Sequence, residues 1–316
     1  MKGTITKSTG SWYMVRLDSD EVLRCSIKGK FRLKGVKLTN PIAVGDSVEV
    51  EQGQGMEDGM GIITKLHPRR NYVLRQSTRK RHYMHMLACN IDQAFLVTTI
   101  AHPMLKPGFI DRFLLTTATH DIPTYIIVNK ADAYDEGELE MYGGLSVIYG
   151  DIGYKTLLVS AEQGDGIDKL RTLLKDKRTL VCGHSGVGKS SLVNAVQPNL
   201  ELFTQEVSDY SGKGMHTTTF AEMYNLDFGG ELIDTPGIKE LGFINMEPMD
   251  VAHNFKEFFE HSKNCKFNNC MHLNEPHCAV KNAIEEGYIS PLRYQNYLGI
   301  MEEVMGQNYW ERKTDW

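Results

Sequence analysis

Apolar and polar residues alternate along much of the first 66 residues, as they do in β-strands. The segment "VGDSVEVEQ" is a clear case, with Val48 and Val50 at alternate positions. The segments "GTITKSTGSWYMVRL" and "EVLRCSI" are rich in β-branched and aromatic residues, and turns with Gly, Asp or Pro separate the runs. About five short strands predict a small OB-like β-barrel, which we place at residues 1–67.

A different pattern begins near residue 90. The apolar runs "DQAFLVTTIA", "PTYIIVNKAD", "KTLLVSA", "RTLVCG" and "GGELIDTPG" are typical of buried strands. Segments with helical character lie between them, namely "FIDRFLLTTATH", "GIDKLRTLLKD" and "KSSLVNAV". This alternation predicts an α/β domain with a mostly parallel sheet, at residues 90–246.

Residues 68–89 connect the two regions and show no clear periodicity. Tyr72 and Tyr83 are interleaved with cations. The cations are Arg69, Arg70, Arg75, Arg79, Lys80 and Arg81. We interpret this segment as a basic linker that neutralises phosphates and becomes ordered on contact. An ordinary solvated linker is the alternative.

Helical spacing returns in residues 247–316. The segment "DVAHNFKEFFEH" is predicted to place Val251, Phe255, Phe258 and Phe259 on one helix face. The segments "AVKNAIEEGY" and "PLRYQNYLGIMEEV" predict two further helices. The C-terminal region is therefore expected to be a helical domain.

A cysteine and histidine cluster lies between the first two of these helices, with the spacing C-x4-C-x-H-x5-C. Its members are Cys265, Cys270, His272 and Cys278. Four soft ligands fit one tetrahedral structural Zn²⁺ and leave no open position for catalysis by the metal. A disulfide is the alternative. The other three cysteines, expected to lie in the core, are Cys25, Cys89 and Cys182.

Charge is distributed unevenly along the chain. Residues 1–90 hold 16 Lys and Arg against 8 Asp and Glu, whereas the remainder holds 19 against 32. The basic third indicates a polyanionic partner, although two ordinarily solvated surfaces would give the same totals. No apolar run approaches the roughly 20 residues of a membrane span. We expect a cytoplasmic protein, monomeric and without a membrane partner.

Part of this positive charge falls in the predicted barrel, in "KGKFRLKGVK". Barrels of this kind often bind nucleic acid through a basic face with aromatic residues. Trp12, Tyr13 and Phe31 are candidates. For each of these aromatics, a place in the barrel core is the alternative.

The segment "GHSGVGKS" matches the phosphate-loop pattern G-x-x-x-x-G-K-[ST] between a predicted strand and helix. Backbone N–H groups and the helix N-terminus would face the phosphates. Lys189 is expected to bind β- and γ-phosphate oxygens, and Ser190 to bind Mg²⁺. The expected nucleotide contacts here are Gly183, His184, Ser185, Gly186, Val187, Gly188, Lys189, Ser190 and Ser191.

The segment "NKAD" ends a predicted strand and is expected to select the base of the nucleotide. The Asp132 carboxylate can accept hydrogen bonds from guanine N1–H and the exocyclic amine, whereas adenine presents an acceptor at N1. Asn129 and Lys130 would brace the loop and cover the base. Ser160 and Ala161 in "VSAE" end the next strand and form a second guanine loop. Together these loops favour GTP over ATP.

The segment "DTPG" ends a further strand. Asp234 is expected to hold Mg²⁺ through water, and the Gly237 N–H to contact the γ-phosphate. A threonine of "GKGMHTTTF" should be the second hydroxyl ligand of Mg²⁺, and Thr217 and Thr218 are favoured.

Ile238 follows Gly237, where many small GTPases have a glutamine that orients the attacking water. An isoleucine cannot do this, so the isolated protein should hydrolyse GTP slowly. His216 is the candidate that positions or activates water, with anchoring of the switch as its alternative. The predicted catalytic set is His216, Lys189, Thr217 and Thr218.

Most GTPases have the phosphate loop first, but here the base loop comes first. A circular permutation explains this order, because chain ends can be moved where the ancestral termini lie close together. In this order the switch at residues 234–245 leads directly into the C-terminal domain.

The order NKAD, SAE, GHSGVGKSS, HTTT, DTPG and "CKFNNCMHLNEPHCAV" resembles the RsgA (YjeQ) family of bacterial circularly permuted GTPases. The resemblance spans nearly the whole chain. It implies GTP/GDP, Mg²⁺ and one structural Zn²⁺, and a late assembly factor of the 30S ribosomal subunit that binds 16S rRNA. It further implies that the 30S particle stimulates GTP hydrolysis, which promotes release. Met215 departs from the often basic residue of the family.

Two other functions fit the residues. The first is an RNA-binding scaffold in which GTP is a conformational ligand with negligible turnover. The second is a tRNA-related GTPase.

Overall fold

The structure, a computed structural model, describes residues 1–10, 12–27, 40–52, 60–76, 84–200, 221–235 and 246–306. The N-terminal region is a five-stranded barrel. Its strands are β1 (Lys2–Ser8), β2 (Tyr13–Leu17), β3 (Val22–Ile27), β4 (Ser47–Gln52) and β5 (Met60–Leu66). The strand order is β1-β2-β3-β5-β4, and a further β1–β4 pairing closes it. This confirms the predicted barrel.

Alternating residues fill the barrel interior, including Ile5, Val15 and Val50, each fully buried. Tyr13 belongs to this core. Trp12 is only half-buried, and the Arg24 guanidinium lies 4.2 Å above its ring. Phe31 and the basic segment around it lie outside the described residues.

Part of the segment interpreted as a linker has regular structure. Strands β6 (Tyr72–Gln76) and β7 (Met84–Cys89) form an antiparallel pair. Val73 and Leu87 are buried in the core of the α/β domain, because a few apolar residues among the cations are enough to hold a hairpin against it. Arg79, Lys80, Arg81 and Tyr83 lie outside the described residues.

The first two cations of that segment have internal partners. Arg69 pairs with Asp46 of the barrel, at 2.7 Å from each carboxylate oxygen. The Arg70 guanidinium lies 2.7 Å from the Asp92 carboxylate at the start of the α/β domain. Arg69 therefore ties this segment to the barrel, and Arg70 ties it to the α/β domain while its side chain stays 61% exposed.

The central region alternates strands and helices. Its strands are β8 (Gln93–Thr98), β9 (Thr124–Val128), β10 (Lys155–Leu158), β11 (Arg178–Gly183), β12 (Glu222–Asn225) and β13 (Glu231–Asp234). Its helices are α1 (Pro107–Ala118), α2 (Glu136–Asp151), α3 (Ile167–Leu174) and α4 (Lys189–Val196). The order is β10-β9-β8-β11-β13-β12, with all pairs parallel except β12–β13.

Helix α2 and strand β12 have no counterpart among the predicted elements. Gly143 and Gly144 weaken the helical signal of α2, and only Leu145 and Tyr149 of its side chains are buried. A capping box between Asp135 and Glu138 starts this helix.

The barrel and the α/β sheet form one continuous sheet, because β1 pairs with β12 at Lys7 and Glu222. Ion pairs support this junction. The Lys7 ammonium lies 2.6 Å from the Glu222 carboxylate. Glu231 accepts from Arg178 at 2.5 Å and also pairs with Arg16 of the barrel.

The C-terminal region contains α5 (Pro248–Asn254), α6 (Lys256–Ser262), α7 (Ala279–Glu285) and α8 (Pro291–Gly306). The first predicted helix here is divided at Phe255, whose φ of −82° and ψ of 100° end the helical conformation. Phe255 and Phe258 are buried, but Phe259 is 45% exposed, so the expected shared face is wrong for Phe259. Among the described helices, none is long and apolar enough to cross a membrane.

Candidate nucleotide site and metal cluster

The predicted nucleotide residues meet at one edge of the α/β sheet. Asn129 follows β9, Ser160 lies just beyond β10, Gly183 ends β11 and Asp234 ends β13. Ligands bind at the carboxyl ends of parallel strands in open α/β sheets, because the loops there converge. The motifs therefore come together although they are spread over about a hundred residues.

The phosphate loop has the backbone conformation of an anion cradle. Gly186 and Gly188 have φ values of +83° and +85°, which favour glycine. A Cβ at Gly188 would lie 2.4 Å from Asn129 Nδ2, so this position has no room for a side chain. Val187 is 1% exposed and anchors the loop in the core, whereas Ser185 and Gly186 face solvent.

Lys189 begins α4 and is 9% exposed. Its Nζ donates to the carbonyl oxygens of Gly183 and His184 at 3.0 and 2.9 Å. Burial lowers the pKa of Lys189, and the nearby Asp234 carboxylate opposes this shift. A cation held inside the phosphate loop is suited to contact phosphate oxygens.

Asn129 joins the two nucleotide loops. Its side chain is 1% exposed and lies between them. Nδ2 donates to the carbonyl oxygen of Val187 at 3.0 Å, and Oδ1 accepts from the Ala161 N–H at 3.1 Å. One buried amide therefore ties the "NKAD" loop to both the phosphate loop and the "VSAE" loop. The predicted base and phosphate loops therefore lie side by side.

The side expected to bind the base is more open. The Asp132 carboxylate is exposed and accepts from the Ser160 hydroxyl. The Ser160 hydroxyl in turn accepts from the Gln163 N–H at 2.9 Å. Lys130 has a left-handed φ of +70°, and its Nζ donates to the carbonyl oxygen of His102 at 2.7 Å. The carboxylate is thus held in place with one face towards solvent.

Asp234 and Ser190 occupy the side expected to bind magnesium. Asp234 is 2% exposed, while Ser190 and Ser191 are half-buried in the first turn of α4. Thr235 donates to the carbonyl oxygen of Val181 at 2.9 Å and fixes the start of the "DTPG" segment. Four predicted site residues lie outside the described parts of the chain, namely His216, Thr217, Thr218 and Gly237.

The predicted metal ligands form a compact cluster. The ligand atoms of Cys265, Cys270, His272 and Cys278 all lie within 4.8 Å of one another. His272 Nδ1 lies 3.8 Å from Cys265 Sγ and 3.4 Å from Cys278 Sγ. A tetrahedron with Zn–S near 2.3 Å and Zn–N near 2.0 Å has edges of about 3.5–3.8 Å. The donor set and its spacing therefore fit tetrahedral zinc.

Neighbouring residues shape the loop that carries His272. The Glu275 carboxylate accepts from the Met271 and Leu273 N–H groups, both at 2.8 Å. Tyr294 donates to the carbonyl oxygen of His272 at 2.8 Å. Burial lowers the pKa of His272 and so favours the neutral imidazole, the form that binds a metal.

Comparison with known proteins gives concordant results. A family model described as RsgA GTPase matches residues 66–244, and one described as RsgA N-terminal domain matches residues 2–63. This chain belongs to the RsgA GTPase family. Proteins named small ribosomal subunit biogenesis GTPase RsgA are similar to it. The one from Flavobacterium psychrophilum is 49% identical over 96% of this chain and 93% of its own length. The one from Bacteroides fragilis is 48% identical over 96% of this chain and 97% of its own length.

Solved structures support the same family fold. The crystal structure of YjeQ from Thermotoga maritima has a TM-score of 0.75 and 34% identity, covering 97% of this chain and 99% of that one. The structure of YloQ, described as a circularly permuted GTPase, has a TM-score of 0.71 and 31% identity. The match covers 98% of this chain and 96% of that one. Membership of the RsgA family makes this protein a GTPase, and its order of motifs on the sheet is circularly permuted.

Residues outside the predicted motifs also support the base loop. Tyr134 accepts from the Ile100 N–H at 2.9 Å and donates to the carbonyl oxygen of Asn129. The loop between β8 and α1, which contains Ile100 and His102, therefore braces the base loop. These contacts belong to no short motif, so only the fold could reveal them.

Proposed function

We propose that this protein binds GTP with Mg²⁺ in the site described above and hydrolyses it during maturation of the small ribosomal subunit. The observation that carries the nucleotide proposal is the buried Asn129 amide, which unites the base and phosphate loops. In this proposal Asp132 reads guanine, Lys189 binds the β- and γ-phosphates, and Ser190 and Asp234 hold Mg²⁺.

Family membership and the basic N-terminal region support the ribosomal role. Relatives with high coverage are named small ribosomal subunit biogenesis GTPases. We propose that 16S rRNA in the 30S particle is the polyanion that the N-terminal region contacts. Such a role places the protein in the cytoplasm, where we propose that it acts as a monomer with one structural Zn²⁺ in its C-terminal domain.

Base selection tests the nucleotide site directly. Guanine has an amine at C2, whereas xanthine has a carbonyl there. Asp132→Asn replaces an acceptor with a donor, so GTP affinity should fall and xanthosine triphosphate affinity should rise. The gain excludes simple misfolding, and Asp168→Asn on the exposed side of α3 is the matched control. Equal binding of ATP and GTP by the unaltered protein would refute the proposal.

Co-sedimentation tests the ribosomal part. With a non-hydrolysable GTP analogue, the protein should pellet with 30S subunits, and binding should weaken as salt rises and when GDP replaces the analogue. The isolated protein should hydrolyse GTP slowly, and 30S subunits should increase the rate. If His216 positions the attacking water, His216→Ala should abolish that increase. Binding without any stimulated turnover would favour the GTP-regulated scaffold. Stimulation by tRNA instead of 30S would favour a tRNA-related GTPase.

A further inference from the structure

Helix α1 lies against the phosphate loop. The Phe109 ring is 7% exposed, and its centroid lies 3.9 Å from that of the His184 imidazole in the phosphate loop. Pro103, just before the helix, lies 3.8 Å from the position that a Cβ would take on Gly186. The start of α1 and the loop before it therefore form a wall behind the phosphate loop.

The same helix is held by a buried ion network. Asp111 is fully buried, and its carboxylate accepts from Arg293 at 2.5 Å, Asn296 at 2.6 Å and Tyr149 at 2.6 Å. Arg293 is 3% exposed and also donates to both Glu257 oxygens at 2.7 and 3.0 Å. Arg293 and Asn296 belong to α8, and Glu257 belongs to α6.

Asp111 and Phe109 are two residues apart, so about 3 Å of helix axis separates them. A rigid turn of α1 thus connects the C-terminal helices to the phosphate loop. We infer that Arg293 is a positioning residue for the nucleotide site, acting through Asp111 and through the contact between Phe109 and His184. Docking of the C-terminal helices on α1 then raises the affinity for the nucleotide phosphates. The inference rests on the proposed nucleotide site.

This connection has a reciprocal consequence. A partner that lifts the C-terminal helices away from α1 must weaken nucleotide binding, and nucleotide binding must oppose that partner by the same factor. The connection is separate from the direct chain link through residues 236–245, since α1 follows β8 on another part of the sheet.

The first test uses two matched substitutions in α1, Phe109→Leu and Phe113→Leu. Phe113 is fully buried in the same helix but has no ring contact with the phosphate loop among the described residues. Affinity for a fluorescent GDP analogue is measured alongside the melting temperature. Phe109→Leu should weaken binding about three- to tenfold, the range expected for one aromatic pair, and Phe109→Tyr should restore it. Phe113→Leu should lower only the melting temperature.

The second test changes Arg293 in α8, at the other end of the proposed connection. Arg293→Lys keeps the charge but loses the bidentate geometry, so GDP binding should weaken. Arg112→Lys is the control, because Arg112 also pairs with α8, through Glu303 at 2.5 Å, but lies at the surface of the junction. Phe109→Leu with Arg293→Lys should bind GDP no more weakly than Phe109→Leu alone, since both act on one contact.

The outcomes separate cleanly. Equal losses of affinity in Phe109→Leu and Phe113→Leu would overturn the inference, and so would losses that multiply in the double variant. If the unaltered protein bound no guanine nucleotide, the proposed site itself would be wrong. Nucleotide binding that is intact in the unaltered protein and insensitive to Phe109 would reject only the positioning role.

Discussion

Replacing Arg293 by methionine should separate the C-terminal helices from the α/β domain more effectively than any surface substitution. The guanidinium is the cation of a buried network that includes the carboxylates of Asp111 and Glu257. Asp111 is fully buried, and Glu257 is 6% exposed. Methionine fills a similar length but leaves both carboxylates without that partner. Of its side-chain donors among the described residues, Asp111 would keep Tyr149 and Asn296.

Removing one partner of a buried ion pair costs about 3–5 kcal/mol of folding stability, because an uncompensated charge remains in the interior. Arg112→Met removes the ion pair between Arg112 and Glu303. The Arg112 side chain is 26% exposed, and that of Glu303 is 35% exposed. Exposed and half-exposed pairs contribute about 0–1 kcal/mol. The two variants delete the same side chain at the same junction, so Arg293→Met, which removes a buried cation from two carboxylates, should be the less stable of the two.

The pH dependence gives an independent signature. Burial raises the pKa of Asp111, and Arg293 opposes that rise. Without Arg293 the pKa should rise further, so the folded state takes up a proton more readily than the unfolded state as pH falls. The deficit in stability of Arg293→Met should therefore shrink between pH 7.5 and pH 5.

Urea unfolding at both pH values measures the free energy of unfolding of each variant, with tyrosine and tryptophan fluorescence as the signal. Limited proteolysis reports whether the C-terminal helices have separated. If Arg293→Met were no less stable than Arg112→Met at pH 7.5, or if its deficit grew as pH fell, the account of this buried network would be refuted.

Three further predictions follow from particular contacts. Gly188→Ala should weaken GDP binding by about tenfold or more, measured by nucleotide titration, because φ is +85° and Asn129 occupies the space of the new Cβ; unchanged affinity would contradict the cradle geometry. Cys270→Ser should lower the zinc content found by elemental analysis from one ion per chain, and should destabilise the C-terminal helices by several kcal/mol; Cys25→Ser in the barrel is the control. Burial would raise the pKa of Glu231, but hydrogen bonds from Arg178 and Arg16 hold it below its ordinary value. Stability from this group is therefore present above the unfolded pKa and is lost as pH falls through the folded pKa, so Glu231→Gln should flatten acid unfolding below about pH 4.5.

Short motifs were enough to select residues that the structure brings together, at one edge of the α/β sheet and in the cysteine and histidine cluster. Phosphate loops and zinc ligands require fixed residue types at fixed spacing, because their chemistry is local to a turn or a loop. Lys189 and His272 were predicted in this way. The alternating apolar pattern likewise predicted the barrel and the parallel sheet, since burial on one or both faces constrains every residue of a strand.

Regular structure was missed where its local signal was weak. Two adjacent glycines obscured α2, and the cations of residues 68–89 obscured the β6–β7 hairpin. Phe255 ends a helix within a segment whose spacing favours continuation, because its ring packs against Phe258 and Tyr297 in the C-terminal core. In each case tertiary contacts outweighed the local preference.

The amino-acid sequence by itself determined which chemical groups this protein has and the order in which they occur, including the permuted order of the base and phosphate loops. Only the tertiary structure decided which distant groups meet. Asn129 reaches the phosphate loop across 58 residues, and Arg293 reaches Asp111 across 182. Such pairs have no spacing that a sequence pattern can display, because they form where strands and helices pack and their partners are set by the topology of the sheet.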